Sequence, residues 1–141
     1  PVGMRYWDWT RNAAAGTAEA WIVAGMFDSS EALWIPRLVV RRQNDGEAPL
    51  ESTFVAVAEP WRGAPRVAEV RRLEAAGGDT EVVLEVTLAD GRRDVIVLRD
   101  PERMAGMPTL RAGEPAMETG AELCVWRSGA DGFRVERSGT E

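Results

Sequence analysis

The chain contains no histidine and no lysine, one cysteine and one tyrosine. Without histidine it lacks the usual general base at neutral pH and the usual imidazole ligand for a metal. Lone Cys124 excludes an internal disulfide, a zinc knuckle and a dithiol site. Its setting, Leu123-Cys124-Val125-Trp126, predicts a small core residue rather than a reactive thiol. No Gly-x-Ser-x-Gly elbow, phosphate loop or dinucleotide fingerprint occurs. Apolar runs stay far below the ~18 residues that span a bilayer, so no membrane segment is expected. Pro1-Val2-Gly3 carries neither an initiator Met nor a signal-like stretch, the start expected of a piece of a longer protein.

All 17 basic residues are therefore arginines, set against 23 acids for a net charge of −6. An acidic chain is a poor phosphate binder, and nucleic acid is not an expected partner. The doublets Arg41-Arg42, Arg71-Arg72 and Arg92-Arg93 each lie at a strand or turn with acids nearby, which predicts solvated sheet faces. Calcium could be sought among Asp45, Glu47 and Glu51, but no Asp-x-Asp spacing supports it, and no cofactor is expected. Nor does anything single out two carboxylates for glycoside hydrolysis.

At 141 residues, 45% of them hydrophobic, the chain suits one domain, residues 1–141, with a core that needs no disulfides. Turn signals recur every ~8–12 residues, the cadence of an antiparallel β-sandwich, here of roughly 10–12 short strands. Residues 3–10 predict an edge strand with Trp7 and Trp9 on one face, either covering a sheet or offering a platform to a sugar ring or neighbouring domain. A loop is expected over Asn12–Thr17, then short strands over Glu19–Ala24 and Ala32–Pro36. Met26–Glu31 joins them; Asp28-Ser29-Ser30-Glu31 imitates a capping box, but Pro36 leaves no room for a helix. A strand over Arg37–Arg42 and a surface loop over Gln43–Glu51 complete the first third.

The chain is organised around Ser52–Pro65. Thr53–Ala58 predicts a buried strand, Glu59-Pro60 a stop and Trp61–Pro65 a corner. Val67, Val70 and Leu73, three apart in a short β-branched segment, predict a strand with a mid-way bulge. Glu81–Leu88 alternates cleanly, with Val82, Leu84, Val86 and Leu88 inward, Glu81, Glu85 and Thr87 outward, and Val83 out of phase. Asp90-Gly91 predicts a two-residue hairpin turn into Arg93–Leu98. A loop over Asp100–Met107, short strands near Thr109–Arg111 and Ala116–Glu118, and a hairpin of Ala121–Arg127 with Phe133–Arg137 across Gly129–Gly132 finish the chain.

The motif Thr53-Phe54-Val55-Ala56-Val57-Ala58-Glu59-Pro60-Trp61-Arg62-Gly63-Ala64-Pro65 resembles the C-terminal β-sandwich of the heparinase II/III-like polysaccharide lyases. Pro36-Arg37-Leu38-Val39-Val40-Arg41-Arg42, the hairpin at Asp90–Asp94 and Glu118–Leu123 extend the likeness over roughly residues 35–137. The resemblance implies a non-catalytic domain of a secreted or periplasmic enzyme that cleaves acidic polysaccharide by β-elimination. It also implies an upstream helical catalytic domain as partner. Family catalysis rests largely on Tyr, His, Asn and Arg of that helical domain, and Tyr6 matches no such motif, so no catalytic residue is expected here. Trp61 and Arg62, with Trp7 and Trp9, are the candidate carbohydrate or domain-interface residues. Trp can stack on a sugar and Arg can pair with a uronate or sulfate, or Trp61 can simply plug the sandwich end. A free-standing carbohydrate-binding module and a purely structural domain are the alternatives.

Overall fold

The computed structural model describes residues 1–23, 32–103, 110–112, 117–128, 132 and 134–137. The expected Met26–Glu31 connection, residues 104–107 of the loop after Asp100 and residues 129–131 of the last turn lie outside them.

The fold is all-β and sandwich-like, with every strand pairing antiparallel. Its strands are β1 Val2–Asp8, β2 Ala13–Val23, β3 Ala32–Arg42, β4 Ala56–Arg62, β5 Val67–Leu73, β6 Glu81–Leu88, β7 Arg93–Arg99, β8 Leu110–Ala112, β9 Met117–Thr119, β10 Leu123–Arg127 and β11 Arg134–Arg137. The chain forms two compact units, Pro1–Trp9 with Thr53–Glu141, and Thr10–Ser52.

In the larger unit a five-stranded sheet runs β11-β10-β7-β6-β5, and β1 pairs with β4 as a separate ribbon. The ribbon's inward face carries Val57, and Val55 just before β4 joins it in a cluster with Val82, Leu84 and Ile96 of the sheet. A polar staple supplements this apolar contact. The Arg72 side chain, only 3% exposed, donates from Nη1 to the Trp9 carbonyl at 2.9 Å and from Nη2 to Asp79 at 2.9 Å.

The opposite face of the five-stranded sheet is also closed. Val83, Val95, Val97 and Cys124 form its core, with Leu73, Ala75 and Trp126 against them. This explains why Val83 breaks the alternation of β6: both faces of that strand are buried, Glu81 through Val86 without interruption. Glu81 and Glu85, expected to face outward, are buried, and each is paired with arginine. Arg99 donates from Nε at 3.0 Å and Nη2 at 2.7 Å to one Glu81 oxygen, and the Gly77 N–H donates to the other at 2.7 Å. Glu85 pairs with Arg71 and, at 3.9 Å, with Arg93. The Arg71-Arg72 and Arg92-Arg93 doublets are therefore not simply solvated faces.

Four local expectations change for stated reasons. Residues 13–17 are not a loop: they open β2, which pairs with β3 over eleven residues, so that Pro36 and Arg37 fall inside one continuous strand. The central strand does not stop at Pro60. The Gly63 N–H to Pro1 carbonyl and Trp9 N–H to Val55 carbonyl bonds make odd positions the hydrogen-bonded pairs of the ribbon. Pro60, opposite Met4, thus needs no ladder N–H, and the corner comes at Gly63, φ +87°. The Asp90-Gly91 turn contains three loop residues rather than two. The Leu88 N–H reaches the Arg92 carbonyl, and Gly91, at φ +86°, donates back to Leu88, the geometry of a hairpin closed by a left-handed glycine. The bulge expected midway along β5 lies instead at its start, between Val67 and Glu69, where the strand enters from the Gly63 corner.

Candidate functional site

Strand register assembles three arginines distant in sequence at one rim of the larger unit. β5 enters opposite the end of β6, Val67 facing Leu88, and β10 ends opposite the start of β7, Arg127 facing Asp94. The turn Ala64–Arg66, the loop Leu88–Arg92 and Arg127 consequently border one cleft of about 680 Å3. The Ala89 N–H to the Arg66 carbonyl, 2.6 Å, ties the first two segments together.

Glu59 holds the turn in shape. Its Oε1 accepts the backbone N–H of Arg66 and, at 2.9 Å, of Val67, while Oε2 accepts Arg5 Nη2 at 3.0 Å. Burial works to raise the Glu59 pKa, but the Val67 and Arg66 amides and the Arg5 charge outweigh it and hold the carboxyl below its ordinary value. Arg5 also donates to the Val67 carbonyl and sits 5.2 Å from the Trp7 ring centroid.

Within the cleft, Arg92 is held by Asp90, Nε to Oδ2 at 2.8 Å, and Arg127 is bidentate to Asp94 at 2.5 Å through both Nε and Nη2. Its bonds with Arg92 lower the Asp90 pKa. The bond to Asp90 raises the Arg92 pKa, against burial and the nearby Arg127 charge. Arg127 is raised by its bond to Asp94. The Arg66 guanidinium has no ion pair or hydrogen bond among the described residues. The cleft is thus lined by three arginines and one acid, Asp90, together with Pro65 and Leu88. Planar guanidinium forks fit carboxylate and sulfate groups.

The residues singled out from sequence do not form one surface. Trp61 and Trp7 lie half-buried on the inward face of the β1–β4 ribbon, separated by the Arg5–Glu59 pair. The Trp61 ring lies so close on Gly3 that a Cβ there would stand 2.6 Å from its Cζ2. Arg62, next in the strand, points to the opposite face, so Trp61 and Arg62 cannot grip one sugar together. Trp9, 37% exposed, follows the end of β1. Tyr6 donates to Asp8 at 3.1 Å, and burial followed by that bond raises its pKa, the wrong direction for a base.

No family model, curated protein or solved structure matches this chain. Among the described residues, no group of three or more His, Cys, Asp or Glu side chains could hold a metal. Arg66, Arg92 and Arg127 escaped sequence reading because nothing in their spacing links them; only the pairings of β5 with β6 and of β7 with β10 do. The one available signal was the position of Arg66 and Arg92 just after the turn markers Pro65 and Gly91.

The ribbon's outward face is a second feature. Val2 is 71% exposed, Met4 70%, Tyr6 45% and Phe54 58%, and Ala56, Ala58 and Pro60 are exposed beside them. Only Asp8 and Arg62 interrupt this apolar strip.

Proposed function

We propose that this chain is a non-catalytic β-sandwich domain of a polysaccharide-degrading enzyme of the heparinase II/III-like kind. In this reading it contacts acidic polysaccharide through the arginine-bordered cleft and docks on the catalytic domain through the outward face of β1–β4. The observation that carries the proposal is the cleft itself. Its ~680 Å3 falls in the range of small-ligand sites. Arg66, without an ion pair among the described residues, stands beside the Arg92–Asp90 pair and suits a uronate carboxylate or a sulfate, and Pro65 and Leu88 suit the apolar face of a sugar ring. The apolar strip from Val2 to Phe54 supports the docking half, since patches of this kind mark interaction sites. Tyr6, held as a donor to Asp8, fits a domain that leaves β-elimination to its partner.

The test is calorimetric titration of the purified chain with alginate and heparan sulfate oligosaccharides, alongside a neutral oligosaccharide. Binding to the acidic sugars should weaken with added salt, disappear in the Arg66→Ala, Arg92→Ala double variant and generate no unsaturated product. Equal affinity for the neutral sugar, or no binding to either acidic one, would remove the cleft from the function. Formation of unsaturated uronate would overturn the non-catalytic assignment.

A further inference from the structure

The smaller unit, Thr10–Ser52, is built on the β2–β3 hairpin, and none of its described side chains is buried. Trp21 and Trp34 stand directly opposite each other, 56% and 65% exposed, with Leu38 and Val39 about half exposed. A two-stranded hairpin is at best marginally stable in water, and its open backbone edges are templates for another strand.

The two edges differ. β3 carries Pro36, Arg37, Arg41 and Arg42, the residue types that block strand addition. β2, Ala13-Ala14-Ala15-Gly16-Thr17-Ala18-Glu19-Ala20-Trp21-Ile22-Val23, has no proline and a single charge. Its first half is all small residues, and its large ones stand at the end. Folded back on itself about Ala18, the strand is its own complement. Ala15 then falls opposite Trp21, Gly16 opposite Ala20, and Ala13 and Ala14 opposite Val23 and Ile22. Glu19 falls opposite Thr17, so no like charges stand directly across from each other.

We propose that two copies of this chain pair edge to edge through β2, antiparallel about a two-fold axis at Ala18, into a four-stranded sheet ordered β3-β2-β2-β3. The seam runs ~37 Å, eleven residues at ~3.4 Å each, and adds about ten backbone hydrogen bonds. Trp21 of each copy covers the small-residue half of the other. The pairing closes at two copies, because the outer strand on each side is the proline- and arginine-bearing β3.

Sedimentation velocity across protein concentrations tests the assembly, and two variants test its register. Ala18→Arg places like charges opposite each other at the axis and should raise the dimer dissociation constant by about tenfold or more. Ala18→Cys should give a disulfide-linked dimer on mild oxidation, because opposed Cα atoms ~4.5–5.5 Å apart are within disulfide reach. Ala14→Cys, which faces Ile22 of the other copy, should not. Far-ultraviolet circular dichroism confirms that each variant is folded, and the cysteine pair reads the register even if the arginine variant is not. A chain that stays monomeric throughout overturns the proposal. So does a dimer that Ala18→Arg leaves intact and Ala18→Cys does not cross-link, or assembly that continues beyond two copies.

Discussion

Replacing Arg99 by Met tests whether the second face of the sheet is closed over charge. Glu81 and the Arg99 side chain are 4% and 1% exposed, and the guanidinium supplies two of the three hydrogen bonds described for the carboxylate. Arg99→Met leaves the Gly77 N–H as the remaining one of these and strands a negative charge away from water. Removing one member of a buried pair costs about 3–5 kcal/mol. Native domains are stable by only about 5–15 kcal/mol, so the loss is a large fraction of the total. For a chain of this length it lowers Tm by about 10–20 °C. Glu81→Met removes the carboxylate that Arg99 pairs with and also orphans the Gly77 amide. The double variant buries no lone charge and should cost only about 1–3 kcal/mol, the loss of the Gly77 bond. The cycle should therefore show a coupling of about 3 kcal/mol or more between the two side chains. Urea unfolding followed by tryptophan fluorescence measures all four corners, and a single variant too weak to fold beside a folded double would point the same way. An Arg99→Met variant within about 1 kcal/mol of the parent would refute the reasoning, because the pair would then be reachable by water.

Gly91→Val should cost more than the ~1 kcal/mol of an ordinary glycine site, since φ +86° is strained for a β-branched residue; a neutral effect in denaturant melts would mean the β6–β7 hairpin is misread. Glu59, its pKa held below the ordinary carboxylate value, stabilises the fold above the unfolded pKa and loses that contribution as pH falls through the folded value. Thermal melts of Glu59→Gln should accordingly be less stable than the parent near neutrality and converge on it in acid; a constant gap at all pH values would exclude a role for its ionisation. Gly3→Ala should displace the Trp61 indole, which stands 2.6 Å from where the Cβ must go, and change the near-ultraviolet circular dichroism. An unchanged spectrum and stability would mean that the ring does not lie on the strand.

Composition and periodicity alone were enough for the all-β class, the strand β5, the β6–β7 hairpin, the two short strands β8 and β9 and the final hairpin. Those features are local: alternation, β-branching and turn residues act over a few positions. Tertiary structure decided what depends on register and on a second surface. Pro60 could stay inside β4 only because its pairing with Met4 falls where no ladder N–H is needed, and Pro36 likewise sits within β3 rather than ending it. Whether Glu81 faces solvent or Arg99 was invisible in an alternating pattern, since alternation assigns a residue to a face but not what covers that face. The arginine cleft depends on the same limit: Arg66, Arg92 and Arg127 share a rim because strands meet end to end across dozens of residues, a relation that no local spacing encodes.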